Sequence, residues 1–173
     1  MHTLIVGAQG VGKSTLIRRV LAEIGLPLWG FATVKENALA EPELGSPVYI
    51  YDAAGERARG IENLVGYCKN QRPVTYPEAF ERFAKKLSAP APANSIVLLD
   101  ELGSMENAAP AFRAAVLGIL DGNRPAIAAV KDKDTPFLNA VREHPNCRCF
   151  HITRENRDAL FPEVLGFVKA QIK

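Results

Sequence analysis

Eight residues near the start constrain this chain more than any others: Gly7-Ala8-Gln9-Gly10-Val11-Gly12-Lys13-Ser14. The pattern is Gly, four residues, Gly, Lys, Ser. Its glycines let the main chain curl closely around an anion, and successive N–H groups then form an anion-binding nest. The apolar run Leu4–Val6 just before it reads as a buried strand. After it, Leu16, Val20, Leu21 and Ile24 recur at helical spacing, with Arg18, Arg19 and Glu23 on the other side. A strand that ends in glycines opening a helix aims the positive end of the helix dipole at the nest. The expectation is a phosphate cradle. Gly7, Gln9, Gly10, Val11, Gly12, Ser14 and Thr15 surround the phosphates, Lys13 reaches the β- and γ-phosphates, and the Ser14 hydroxyl ligates Mg²⁺.

A second feature answers to the first. Ile96-Val97-Leu98-Leu99 is a continuous apolar run closed by Asp100-Glu101. Such a run reads as a central parallel strand ending at Asp100. A carboxylate at that end holds Mg²⁺ in chains of this kind. Asp100 takes that place beside Ser14, and Glu101 is the candidate to orient or deprotonate an attacking water.

The rest of the chain fits an α/β domain. Strands are expected at Leu28–Val34, Val48–Tyr51, Ala126–Val130 and Arg148–Thr153, and helices at Pro77–Leu87, Ala109–Leu120, Pro136–Glu143 and Ala159–Ile172. Alternation of the two implies a mostly parallel sheet, and 173 residues suit a single domain spanning 1–173. Residues 53–76, rich in Gly, Arg and Asn, read as loops with one short strand near Leu64–Tyr67. A net charge of +2 with scattered basic residues gives no sign of a nucleic-acid partner. No apolar run approaches the roughly 20 residues of a membrane span. Three cysteines, Cys68, Cys147 and Cys149, are too few and odd for a disulfide framework and suit a reducing cytoplasm. Cys147-Arg148-Cys149 reads as a strand with Cys149 turned inward as a small hydrophobe.

Several runs taken together resemble a known family. They are Gly7–Thr15, Gly30-Phe31-x-Thr33, Val65-Gly66-Tyr67, Asp100-Glu101-Leu102-Gly103-Ser104-Met105-Glu106 and Thr153-Arg154-Glu155-Asn156-Arg157-Asp158. In that order they resemble the small P-loop nucleoside-triphosphatases known as cancer-related nucleoside-triphosphatase and its prokaryotic relatives. The resemblance spans nearly the whole chain. It implies a P-loop NTPase three-layer sandwich, with a mostly parallel central sheet and an added antiparallel hairpin. An extra strand is expected between the phosphate loop and the acidic strand. It also implies slow, Mg²⁺-dependent hydrolysis of several NTPs, ATP and GTP among them, to NDP and phosphate. Two positions depart from the family's habit: Ser104 stands where a lysine is usual, and charges after Thr33 are displaced to Lys35-Glu36.

The last predicted strand is followed by Asn156-Arg157-Asp158. Strand C-termini in such sheets face the ligand crevice, so Asn156 and Arg157 are candidates to lie by the nucleobase. The alternative is that Asn156 or Asp158 caps the final helix, and for Asp158 the cap is the preferred reading. Met105 reads as packing, and Glu106 either as a helix cap or as part of the site. NTP hydrolysis is the leading reading. A kinase acting on a nucleotide or small metabolite shares the loop and metal but needs an acceptor pocket, and no acceptor motif is visible. A nucleotide-switched module that a protein partner reads is a third possibility.

Overall fold

The computed structural model describes residues 1–172, so Lys173, the end of the expected 1–173 domain, lies outside the described residues. From the N-terminus, β1 (His2–Gly7) leads through the glycine loop to α1 (Lys13–Ile24) and β2 (Leu28–Lys35). An antiparallel meander follows, β3 (Ser46–Asp52), β4 (Leu64–Lys69) and β5 (Arg72–Thr75), and then α2 (Pro77–Leu87). β6 (Ile96–Leu102), α3 (Pro110–Asp121), β7 (Ala126–Lys131), α4 (Pro136–Arg142), β8 (Cys147–His151) and α5 (Arg157–Gln171) complete the order.

Among the described residues, eight strands share one sheet, in the order β5-β4-β3-β2-β6-β7-β1-β8. The five strands from β2 to β8 pair in parallel, and β2-β3, β3-β4 and β4-β5 pair antiparallel. β7 is the expected extra strand, lying between β1, which feeds the phosphate loop, and β6, which carries the acidic pair.

Alternation along each central strand explains the three layers. Ile5, Ile96, Leu98, Ile127 and Ala129 face α1 and α5, where Leu16, Ile17, Val20, Val164 and Val168 meet them. Leu4, Val6, Val97, Leu99, Ala128 and Val130 face the other way, onto Phe80, Phe112, Leu120 and Leu138 from α2, α3 and α4. Strands covered on both faces have no polar side to show, which is why they read as unbroken apolar runs. Aromatic packing ties α2 and α3 to the sheet, with Phe112 centred 4.9 Å from Phe80 and 5.1 Å from Phe31.

One glycine sets the spacing at the middle of the sheet. Gly30 has φ +121°, and a Cβ there would stand 2.1 Å from the main-chain oxygen of Leu98. β2 and β6 therefore approach as only glycine allows, which brings Ala32 opposite Asp100.

Several boundaries differ from expectation. β6 does not stop at Asp100 but runs on to Leu102, with a register shift between Asp100 and Leu102 against β7. β8 begins at Cys147 and ends at His151, and α5 starts two residues early, at Arg157. The stretch 53–76 holds two strands and not one. β4 turns into β5 through Asn70 and Gln71, both left-handed with φ 49° and 62°, the geometry of a type I′ hairpin turn. Gln is an uncommon residue for such a turn, and Pro73 inside the run argues against a strand. Proline is tolerated here because β5 is the edge strand.

Candidate active site

The phosphate loop joins the buried end of β1 to α1. Gly12 precedes the helix with φ +105°, a left-handed conformation that L side chains seldom adopt, and α1 has neither a side-chain cap nor an acid in its first turn. Its first N–H groups are thus left to an anion. Val11 packs against the core shared by α1 and α5 and pins the loop, while Gln9 and Thr15 are exposed. Lys13 is almost wholly buried, and its ammonium donates to the main-chain oxygens of Gly7 at 2.9 Å and Ala8 at 2.7 Å. Burial lowers its pKa from the usual lysine value, and the nearby Glu101 charge opposes that shift.

Asp100 and Glu101 both reach the loop although they are neighbours on one strand. Successive strand residues ordinarily point to opposite faces, and the bulge at Glu101 relaxes that rule. The peptide bond between them is cis. The Ser14 hydroxyl donates to Asp100 Oδ1 at 2.8 Å. Burial pushes the Asp100 pKa up, and the Ser14 hydrogen bond opposes it. Glu101 lies between two lysines, with Oε1 at 2.8 Å from Lys131 Nζ and Oε2 at 3.7 Å from Lys13 Nζ.

This donor set fits a divalent cation that also binds phosphate. Among the described residues no group of three His, Cys, Asp or Glu is placed to hold a metal. Mg²⁺ needs no such cage; one or two carboxylates suffice when substrate phosphates and water complete the shell. Ser14 Oγ and Asp100 offer a hydroxyl and a carboxylate at one point, and the desolvated carboxylate is the group a cation would compensate.

Four residues join the site that sequence reasoning either missed or left open. Lys131 ends the inserted strand β7, and its pairing with Glu101 is visible only once β6 and β7 are neighbours. Arg142 of α4 holds that corner by donating to the main-chain oxygens of Lys131 at 3.2 Å and Lys133 at 2.9 Å. Glu106 is buried behind the acidic pair, where its Oε2 accepts from the Gly103 N–H at 3.0 Å. Burial pushes its pKa up to about 7. Arg18, on the side of α1 away from its apolar face, lines the cavity with Ser14, its Nε donating to the Ser14 main-chain oxygen at 3.2 Å.

The late motif divides. Asn156 spends its side chain on its own loop, accepting from the Thr153 N–H at 2.8 Å and donating to the His151 oxygen at 2.9 Å. Its backbone position, not Asp158's, is the N-cap of α5, and Asp158 pairs with Arg19 at 3.3 Å. Arg157 lies along the phosphate loop, its Cδ 3.6 Å from where a Cβ on Gly12 would stand. Met105 packs against the core beneath α2 and α3 and reaches over Gly66 of β4. Cys147 and Cys149 are free thiols, both packed against that core.

The profile of a family described as NTPase matches residues 2–165. The chain belongs to that NTPase family. It is 29% identical to the cancer-related nucleoside-triphosphatase homolog of Mus musculus, over 98% of this chain and 97% of that protein. It is 27% identical to nucleoside-triphosphatase THEP1 of Thermotoga maritima, over 98% of this chain and 96% of the relative. The fold matches the crystal structure of THEP1 from the hyperthermophile Aquifex aeolicus with a TM-score of 0.74, covering 98% of this chain and 99% of that one at 23% identity. The solution structure of a human cancer-related nucleoside triphosphatase matches at 0.68, with 22% identity over 98% of this chain and 97% of that one. NTP hydrolysis is the activity that names this family.

Proposed function

We propose that this NTPase is a single domain that hydrolyses Mg²⁺-bound NTP at Gly7–Thr15, releasing NDP and phosphate with wide tolerance of the base. The observation that carries the reading is the 2.8 Å hydrogen bond between Ser14 Oγ and Asp100 Oδ1, which puts a hydroxyl and a carboxylate together beside Lys13. Lys13 exchanges its two main-chain carbonyl partners for β- and γ-phosphate oxygens, a trade of neutral acceptors for charged ones that favours the nucleotide. Gly10, Gly12 and the first N–H groups of α1 cradle the phosphates. Ser14 and Asp100 hold Mg²⁺, which supplies charge neutralisation to the phosphate oxygens. Glu101, fixed between Lys13 and Lys131, orients the attacking water and takes its proton. Arg157 beside Gly12 is placed to meet the phosphate chain or sugar.

Base tolerance has two supports. The chain has no Asn-Lys-x-Asp guanine-reading run, and the Asn156 amide already has partners within its own loop. The free thiols suit a reducing compartment such as the cytoplasm, and no helix among the described residues is long and apolar enough to cross a membrane. The test is phosphate release from ATP, GTP, CTP and UTP with and without Mg²⁺. All four should be turned over, and chelation should stop each. Release from one base alone would end the tolerance, and release untouched by chelation would end the Mg²⁺ assignment.

A further inference from the structure

A cavity of about 300 Å³ opens at Ser14, Asp100 and Glu101 and runs away from the phosphate loop toward the meander. Lys13 grips the β/γ end of a bound nucleotide, so the γ-phosphate faces this space. The volume is at the lower end of small-molecule pockets, roughly 300–1,000 Å³. It is also well above the share of about 30 Å³ that one attacking water takes.

The walls suit a flat ring joined to an anion. Val34, Val48, Cys68, Pro73 and Met105 give the far part an apolar lining. Thr33 Oγ1 is buried there without a hydrogen-bond partner, and Gln71 brings an amide to the rim. A slot of this kind reads a base edge with few polar groups, and an unpaired buried hydroxyl gains from a ligand that bonds it. Five cations line the cavity, Arg18, Lys35, Arg57, Lys131 and Lys133, against the carboxylates of Asp100, Glu101 and Glu106. Lys131 is paired with Glu101, which leaves Arg18, Lys35, Arg57 and Lys133 against Asp100 and Glu106, a positive surplus that favours an anion. Ala32 pairs with both Asp100 and Tyr51, which sets Tyr51 level with the acidic strand's end. Arg57, stacked over Tyr51 at 5.4 Å, is carried to the same level.

We propose that this cavity is a second-substrate site for a nucleoside monophosphate, which accepts the γ-phosphoryl group in competition with water. The inference rests on NTP occupying Gly7–Thr15 as proposed. A phosphate oxygen of the monophosphate bonds to the γ-phosphorus, and the bond from that phosphorus to the β–γ bridging oxygen breaks. The bridging oxygen leaves with the electron pair as NDP, and the monophosphate becomes a second diphosphate. The acceptor is already a dianion near neutral pH, so no proton is released and no base is required. That separates transfer from hydrolysis, in which Glu101 must take a proton from water.

The experiment incubates the protein with γ-labelled ATP, Mg²⁺ and, one at a time, AMP, GMP, CMP, UMP or dTMP, and separates labelled diphosphate from labelled phosphate. At least one monophosphate should divert label into its diphosphate. Lys35→Glu, a charge reversal at the outer end of β2, should lower that fraction by about tenfold or more. Ser104→Trp, which fills the cavity from a loop position, should do the same and stands in if the first variant fails to fold. Glu101→Gln should raise the ratio of diphosphate to phosphate label. Label found only in phosphate with all five monophosphates would overturn the acceptor site and leave hydrolysis standing. Diphosphate formed equally by the parent and both cavity variants would overturn this location. No label leaving ATP in the parent would overturn hydrolysis and transfer together.

Discussion

The parallel and antiparallel parts of the sheet carry different kinds of information. In the parallel part, β1 and β6 deliver their functional residues from contiguous runs: Gly7–Thr15 from one, Asp100-Glu101 from the other. In the meander, β3, β4 and β5 contribute single residues to the cavity wall, Val48, Cys68, Gln71 and Pro73, separated in sequence by turns and loops. Phosphate and metal chemistry needs adjacent main-chain N–H groups and a carboxylate at a strand end, so it writes itself as a motif. A pocket for a variable second group needs only shape and a few polar atoms, which any strand can supply from scattered positions.

That contrast predicts that turnover collapses when the parallel part is altered while the fold survives. Lys13→Ala should eliminate phosphate release, because the only cation inside the glycine loop is gone. Urea unfolding should be little changed, since the lysine's buried charge is costly to the fold. Glu101→Gln should bind Mg²⁺-NTP with unchanged affinity and release phosphate about 10²–10⁴-fold more slowly, the range for losing a general base. If NTP binding collapses instead and turnover per bound NTP persists, Glu101 belongs to the metal. Lys131→Met keeps the aliphatic cover over Gly103 but removes the 2.8 Å partner of Glu101. It should slow turnover in the parent, yet add little to Glu101→Gln, because residues acting as a unit are not additive. Equal losses in both backgrounds would show that Lys131 acts apart from Glu101.

How far the molecule was legible beforehand follows the same division. The apolar runs Leu4–Val6, Ile96–Leu99 and Ala126–Val130 mark strands covered on both faces, and the chain obeys them. β5 was illegible because Asn70-Gln71 is an unusual pair for its turn and Pro73 is allowed only by the edge position, which depends on the finished sheet. The end of β6 is not legible in the sequence, because a bulge and not a stop follows Asp100. Lys131 sits in Lys131-Asp132-Lys133-Asp134, which is only charge-similar to a guanine-reading run and reads as a helix cap. Its role appears only when β7 is inserted beside β6. Arg18 reads from its spacing only as part of the polar side of α1; it stands one helical turn after Ser14, so it shares that residue's side once the cavity is formed.

Glu106 lies at the seam between the two parts, in the short turn after β6. Burial raises its pKa to about 7 from an ordinary carboxylate value of 4.5. Between those values the folded protein keeps a proton that the unfolded chain has lost. By linkage, stability then falls as pH rises from about 4.5 to 7 and levels off above, with this residue contributing roughly 3 kcal/mol to the fall. Glu106→Gln, neutral at every pH and still able to accept from Gly103 N–H, should flatten that part of the profile. Urea midpoints at several pH values between 5 and 8 read the difference directly. Parallel profiles for parent and variant would mean that Glu106 is ionised when folded and that Lys131 compensates it across the seam.

The smallest expected effect tests whether the meander side takes any part in hydrolysis. In phosphoryl transfer an arginine placed on the γ-phosphate oxygens is worth about 10³–10⁵ in rate. Three arginines lie in or beside the meander. Arg59 and Arg72 are exposed and do not line the cavity, while Arg57 does, though exposed and stacked over Tyr51. A solvated guanidinium held on an aromatic face makes only a screened contact with phosphate, of the order of 0.2–1 kcal/mol. Arg57→Ala should therefore slow phosphate release by no more than about fivefold, which is that energy expressed as a rate. Arg72→Ala and Arg59→Ala should leave the parent rate. If Arg57→Ala instead costs 10³-fold or more at unchanged NTP affinity, Arg57 leaves Tyr51 and closes on the γ-phosphate during turnover. The division drawn here would then fail, because the meander would supply an arginine finger and belong to the hydrolytic machinery as fully as the phosphate loop.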